Sequence, residues 1–240
     1  SSKTNLTFEE YFNCGKNINN LVILRHDVDA NPRNALSLAL IEKKYGLKST
    51  YYFRKKKSVF NVKIMKEISS LGHEIGYHYE VLTKCNGNYD KAIALFNEEL
   101  SLFRDYFEVK TISMHGSPFS KWNNLDIWNK FDFKSSKILG EAYLSIDYSN
   151  ILYYTDTGRT WLDNSSNLRD RVKTKIVKPK INSTLDLANL IHNSNNNFII
   201  NTHPQRWHSN ISSWSLEYLK QNFKNIGKFF LNYRRYNGKK

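Results

Sequence analysis

The chain has 240 residues, rich in aromatics (15 Tyr, 14 Phe, 5 Trp), with 36 Lys and Arg against 22 Asp and Glu for a formal net charge of +14. That length and aromatic content support one sizeable core. The two cysteines, Cys14 and Cys85, form no C-x-x-C pair and give no support to a cysteine-ligated zinc, and no run of about 18 apolar residues exists to form a transmembrane segment.

The charge excess favours anionic partners such as phosphosugars, lipid phosphates, an acidic surface or nucleic acid. The basic clusters are short: Arg54 to Lys57, Arg169 to Lys175 with Asp170 inside, Arg234-Arg235 and Lys239-Lys240. They read equally well as solvated surface, and no zinc-finger spacing, RNA-recognition signature or basic zipper marks a specific nucleic acid partner. Two free thiols suit a reducing compartment, and the opening SSKTNLTFEE lacks the apolar core of a signal peptide. The expectation is a cytoplasmic protein, with export left open because the chain opens on Ser1 rather than Met.

In chain order, Leu21 to Leu24 is a short apolar run that suits a buried strand, leading into Arg25-His26-Asp27-Val28-Asp29. Asn31-Pro32 reads as an N-cap and first-turn proline, Ala35 to Ile41 as helix, and Gly46 as its stop. Thr50 to Phe53 is the next strand, Val62 to Ile68 a helix ended by Gly72, and Glu74 to His78 a short strand. Tyr89 to Phe107 is a long helix with Ala92, Leu95, Phe96, Leu100 and Phe103 on one stripe. Thr111 to Met114 is a strand, followed by His115-Gly116-Ser117-Pro118. Later come a strand at Ile151 to Tyr154, a helix at Leu185 to Ile191, an Asn-rich loop from His192 to Asn197, a strand at Phe198 to Asn201 and a last helix near Leu216 to Phe223. No repeat or linker interrupts this order, so a single domain over 1–240 is expected. Repeating strand-helix units imply a parallel α/β sheet or barrel, with chemistry at the carboxyl ends of the strands.

The unusual polar residues fall at those ends: Asp27 and Asp29, His78, His115 and His203. Two carboxylates two residues apart in extended backbone share a face, repel, and call for a cation. An imidazole beside them suits a divalent metal, and zinc would lower the pKa of a water to about 7. A remaining carboxylate is then a general base, and a second histidine protonates a departing amine. The plainer readings are that Asp27 and Asp29 cap the next helix, that His73 and His115 order turns, and that the tryptophans are core. Trp161 and Trp207 stand beside rim residues, and with Arg159 and Arg206 they are the candidates to shape a substrate pocket.

Leu24 to Asp29 resembles the first motif of the polysaccharide deacetylase superfamily (carbohydrate esterase family 4), and Gly72 to His78 its second. His115-Gly116-Ser117-Pro118 stands in the place of the third, Asp156 and Trp161 in TDTGRTW resemble the fourth, and Ile200 to Pro204 the last. The resemblance spans roughly residues 21 to 207. It implies a distorted (β/α) barrel of about seven parallel strands, with His78 as a metal ligand and His203 as the catalytic histidine; the family's two aspartates are adjacent while Val28 separates them here, so Asp27 as base and Asp29 as ligand are assigned by order alone, the reverse staying open. The family's second metal histidine, four residues after the first, is Leu82 here, so either His115 or Glu80 completes the site or the site is weakened or lost. The arginine-containing third motif is missing. The implied activity is removal of an acetyl or formyl group from an amino sugar or surface-polysaccharide precursor, with an anionic substrate suggested by the charge. The alternative is an inactive barrel that binds glycan or scaffolds a biosynthetic complex.

Overall fold

In the computed structural model, which describes residues 3–14, 18–161, 169–208, 210–219, 221–222 and 224–225, the alternating pattern becomes one parallel sheet covered by helices. The elements are β1 (Thr4–Leu6), α1 (Phe8–Cys14), β2 (Leu21–Val28), α2 (Pro32–Lys44), β3 (Ser49–Phe53), α3 (Val62–Ser70) and β4 (Glu74–Tyr79). There follow α4 (Val81–Lys84), α5 (Tyr89–Arg104), β5 (Thr111–Met114), β6 (Gly140–Glu141), β7 (Ile151–Thr155), α6 (Thr184–Asn193) and β8 (Asn197–Thr202). Residues 211–219 are helical. Seven strands run in the order β6-β5-β4-β3-β2-β8-β7, and β1 pairs with the start of β2. Every pairing is parallel. Among the described residues the outer strands β6 and β7 do not meet, so the sheet curls as an open, distorted (β/α) barrel.

Side-chain alternation sorts each strand between the barrel interior and the helical jacket. In β2, Leu21 and Ile23 pack with Tyr52, Tyr153 and Ile199, an apolar floor that Phe8 of α1 joins. Val22 and Leu24 face outward, into a cluster with Leu187, Leu190 and Ile191 of α6. The same parity therefore turns Arg25 and Asp27 inward, above the floor. His26 points the other way, between Thr202 (2.6 Å) and Glu42 of α2 (2.7 Å). In β4, Tyr77 and Tyr79 enter the outer core with Phe96 and Phe103 of α5, while His78 faces inward. Gly76 is required where it stands: a Cβ there would lie 2.4 Å from the Tyr52 ring, its neighbour across the β3–β4 ladder.

Several boundaries differ from the sequence reading. β2 runs on to Val28, so Asp27 lies within the strand and Asp29 just beyond it. Asn31 starts α2 from a left-handed conformation (φ 48°), and its side chain makes no capping bond; it donates to Asn34 instead (2.9 Å). Pro32, which needs no hydrogen-bond partner for its nitrogen, takes the first turn as expected. α5 stops at Arg104, and His192 lies on α6 rather than in a loop. The last helix starts at 211, five residues earlier than read, and residues 220 and 223 lie outside the described set. Both thiols are free. Among the described residues, no helix is long and apolar enough to cross a membrane.

Candidate active site

Asp27 is held by a residue from its own strand. Arg25, two positions earlier on the same face, grips it with two parallel bonds: Nε to Oδ1 at 2.9 Å and Nη2 to Oδ2 at 2.8 Å. Both side chains are almost fully buried (0% and 4% exposed). The guanidinium also reaches across the interior to Ser113 Oγ of β5 (2.6 Å) and Tyr143 OH (2.9 Å). Asn201 of β8 donates to Asp27 Oδ2 (3.0 Å). Burial alone would raise the Asp27 carboxyl, but Arg25, with His78 and His203, outweighs it and holds the pKa below the ordinary value.

Asp29 sits at the point where three strands end. Its Oδ1 lies 3.5 Å from His78 Nε2 and 3.4 Å from His115 Nε2, and its Oδ2 lies 4.0 Å from His203 Nε2. Oδ1 is buried and accepts no hydrogen bond. Despite burial, the neighbouring imidazoles, His115 foremost, hold Asp29 well below the usual carboxylate range. The His78 ring is fixed from behind, with Nδ1 3.0 Å from the Ser113 carbonyl, its ladder neighbour. A carbonyl only accepts, so Nδ1 carries the proton and the Nε2 lone pair of the neutral ring faces Asp29. Burial opposes charge on His78, yet Asp27 and Asp29 lift its pKa above the ordinary value.

His115 follows β5, with Nδ1 3.2 Å from Glu80 Oε2 and 2.9 Å from Ser117 Oγ, so its Nε2 also turns to Asp29. Burial leads in lowering its pKa. Glu80 is held by Arg54, which binds both its oxygens (2.6 and 3.2 Å) and lies 3.9 Å from Asp29. Burial would raise the Glu80 carboxyl, but His115 and Arg54 bring it to about 2. Among the described residues no group of three or more His, Cys, Asp or Glu side chains is placed to hold a metal ion as it stands. What is present is two donor-to-donor edges at Asp29 Oδ1. Bonds of 2.0–2.1 Å to a tetrahedral zinc imply edges of about 3.3 Å, and an orphaned buried oxygen flanked by two imidazoles is a suitable donor set. Leu82, in the place of the second family histidine, is fully buried in the outer core.

His203 follows β8 and is anchored by Asp156, which follows β7. Asp156 Oδ1 lies 2.6 Å from Nδ1, and Oδ2 accepts the His203 backbone N–H (3.1 Å). Arg206 Nη1 and Trp207 Nε1 complete the shell of that carboxylate (2.7 and 2.9 Å). Burial would raise Asp156, but Arg206 and His203 bring it down to about 2. The imidazole is thus held by its Nδ1 edge, leaving Nε2 toward Asp29.

These groups open into a cavity of about 400 Å³, which Asp27, Asp29, His78, His115, His203 and Arg206 all line. Of the candidate pocket residues only Arg206 lies there. Arg159, Trp161 and Trp207 line a separate cavity of about 200 Å³ beyond Asp156 and Arg206. Arg159 is paired with Glu217 and stacked on Trp214, and Trp161 is buried with Nε1 on Thr184 (3.1 Å). They buttress Asp156 and its surroundings and do not face the reacting groups.

Sequence reasoning missed Arg25, Asn201, Tyr143 and the Arg169-Asp170 pair. Asp170 was read as part of a surface charge cluster, yet its carboxylate accepts from the hydroxyls of Tyr143, Tyr153, Thr155 and Thr157 and from Asn201. Arg169 donates to the carbonyls of Gly116 and Ser120, bracing the loop after His115. Strand parity was the available signal: Arg25 shares a face with Asp27, and Asn201 with His203.

No protein-family model matches the sequence, and no curated protein does either. Solved structures do resemble it. A carbohydrate esterase family 4 esterase from Streptococcus mutans gives a TM-score of 0.50 at 14% identity, over 93% of this chain and 88% of that one. A family 4 carbohydrate esterase from Streptomyces lividans, in complex with acetate, gives 0.46 at 13% identity, over 87% and 88%. A family 4 pseudoenzyme from Bacillus anthracis gives 0.42 at 16% identity, over 86% of this chain and 60% of that one. On the Streptococcus mutans likeness, the chain has the fold of the family 4 carbohydrate esterases, the polysaccharide deacetylase fold.

Proposed function

We propose that the protein is a metal-dependent hydrolase that removes an N-acyl group, acetyl or formyl, from an amino sugar such as a surface-polysaccharide precursor. The observation that carries this reading is the meeting of His78 and His115 at the orphaned Oδ1 of Asp29, with Asp27 on one side and the Asp156-held His203 on the other. Asp29, His78 and His115 would hold a divalent ion, zinc by the nature of the donors, and Glu80 would stand behind His115 as its orienting partner. When bound, the ion supplies Lewis acidity for water and for the amide carbonyl.

The chain's own groups do the rest. Asp27, kept ionised by Arg25, takes the proton of the attacking water. His203, its ring fixed by Asp156, delivers a proton from Nε2 to the leaving nitrogen, and the Asp156 carboxylate stabilises the charged ring. Acetate or formate released from an N-acyl amino sugar oligosaccharide is the direct assay. Turnover should vanish after chelation, return with zinc, and fall at least 100-fold in Asp29→Ala together with the bound metal. Unchanged turnover in Asp29→Ala would overturn the proposal. The competing reading, an inactive glycan-binding barrel, rests on Leu82; it requires glycan binding with neither metal uptake nor turnover.

A further inference from the structure

We infer that the substrate is anionic: an N-acyl amino sugar carrying a phosphate or carboxylate group, met by Lys56 and Lys224 at the active-site cavity. This deepens the hydrolase reading and rests on it for the reacting group.

Most charges on the cavity wall are compensated by a partner. Arg54 is bound to Glu80, Arg206 to Asp156, Glu217 to Arg159 and Asp27 to Arg25. Arg169, which donates to backbone carbonyls, and Asp170, which accepts from hydroxyls, carry opposite charges that cancel in the sum. Asp29 is the proposed metal ligand. Two charges remain. Lys56, in the loop after β3, and Lys224, in the C-terminal helical segment, both line the cavity and both are exposed. Among the described residues, neither ammonium has a carboxylate within ion-pair distance or a hydrogen-bond acceptor.

Two uncompensated cations on separate walls of one cavity leave it a net attraction for an anion, on top of the +14 of the whole chain. Phe119, 59% exposed, also lines the cavity, and its ring offers a platform for the apolar face of a sugar. The cavity volume is within the range of about 300–1,000 Å³ usual for small-ligand sites. A neutral glycan would use the platform and gain nothing from the lysines.

The test is equilibrium binding by calorimetry to the full chain at low and at physiological salt. The probes are N-acetylglucosamine 1-phosphate, N-acetylglucosaminuronic acid and neutral N-acetylglucosamine. At low salt at least one anionic probe should bind 10-fold or more tighter than the neutral sugar, and which one does so separates phosphate from carboxylate recognition. The double variant Lys56→Gln/Lys224→Gln, altered only at exposed positions, should erase that preference, while Lys43→Gln/Lys44→Gln on α2 should keep it. In turnover, the double variant should raise KM for the anionic substrate with kcat unchanged. Equal binding of charged and neutral probes, or a preference that survives the double variant, overturns the inference. Hydrolysis of neutral substrate alongside equal binding would leave the hydrolase reading standing. Charge-selective binding without any hydrolysis would sink that reading and support anion recognition.

Discussion

Replacing Arg25 with leucine should cost the protein about 3–5 kcal/mol, because it leaves a buried carboxylate without its cation. The magnitude follows from the burial and geometry of the pair: side chains 0% and 4% exposed, joined by bonds of 2.9 and 2.8 Å. In Arg25→Leu, Asp27 keeps the Asn201 amide and the His78 ring 3.9 Å away but loses its guanidinium. It then relieves the strain by taking up a proton, which also removes the proposed base. Leucine cannot replace the donors to Ser113 and Tyr143 either. Replacing both partners, Arg25→Leu with Asp27→Leu, removes the uncompensated charge and should recover most of the loss. Urea unfolding at neutral pH measures all three proteins. With total stability of about 5–15 kcal/mol and a denaturant slope of about 2–3 kcal/mol/M, the single variant's midpoint should fall by roughly 1–2.5 M. A loss under about 1 kcal/mol, or a double variant no more stable than the single one, would refute the reasoning.

Asp156 should govern part of the acid limb of stability. Its folded pKa is about 2 against an ordinary 3.8, so its contribution is complete above about pH 4 and is lost as the pH falls toward 2, where the unfolded chain binds the proton first. The gap corresponds to about 2–3 kcal/mol, and in denaturant titrations over pH 2–5 Asp156→Asn should show a shallower slope than the wild type; parallel slopes would contradict the assignment. Gly76→Ala should lower the melting temperature by roughly 3–10 °C, since the added Cβ meets the buried Tyr52 ring at 2.4 Å and overpacking of this kind costs about 1–3 kcal/mol. An unchanged thermal melt would show that the ring yields freely.

The strand ends were legible because short apolar runs delivering a charged or imidazole side chain are rare, and several occurred in one order. Hence Asp27, Asp29, His78, His115 and His203 could be named, and they do converge. Parity within the strands carried more than was read from it: positions 25, 113 and 201 turn inward with the named residues. The two-residue β6, the three-residue β1 and the four-residue α4 are too brief for any periodicity to show. Asp170 was illegible for another reason: its stretch of chain has no regular structure, so tertiary contacts alone bring its carboxylate under Tyr143 and Tyr153. Trp161 and Trp207 were assigned to the pocket by closeness in sequence to rim residues, which says nothing about which side of Asp156 they occupy.

Glu80 joins three successive connections at one carboxylate: its own after β4, Arg54 after β3 and His115 after β5. Displacing any one of these segments loads the other two, so this half of the entrance behaves as a single plate. The opposite half is tied separately, through Asp156 and Arg206. A ligand of the cavity meets both plates, since Arg54 and His115 of the one and Arg206 of the other line it together with Asp29.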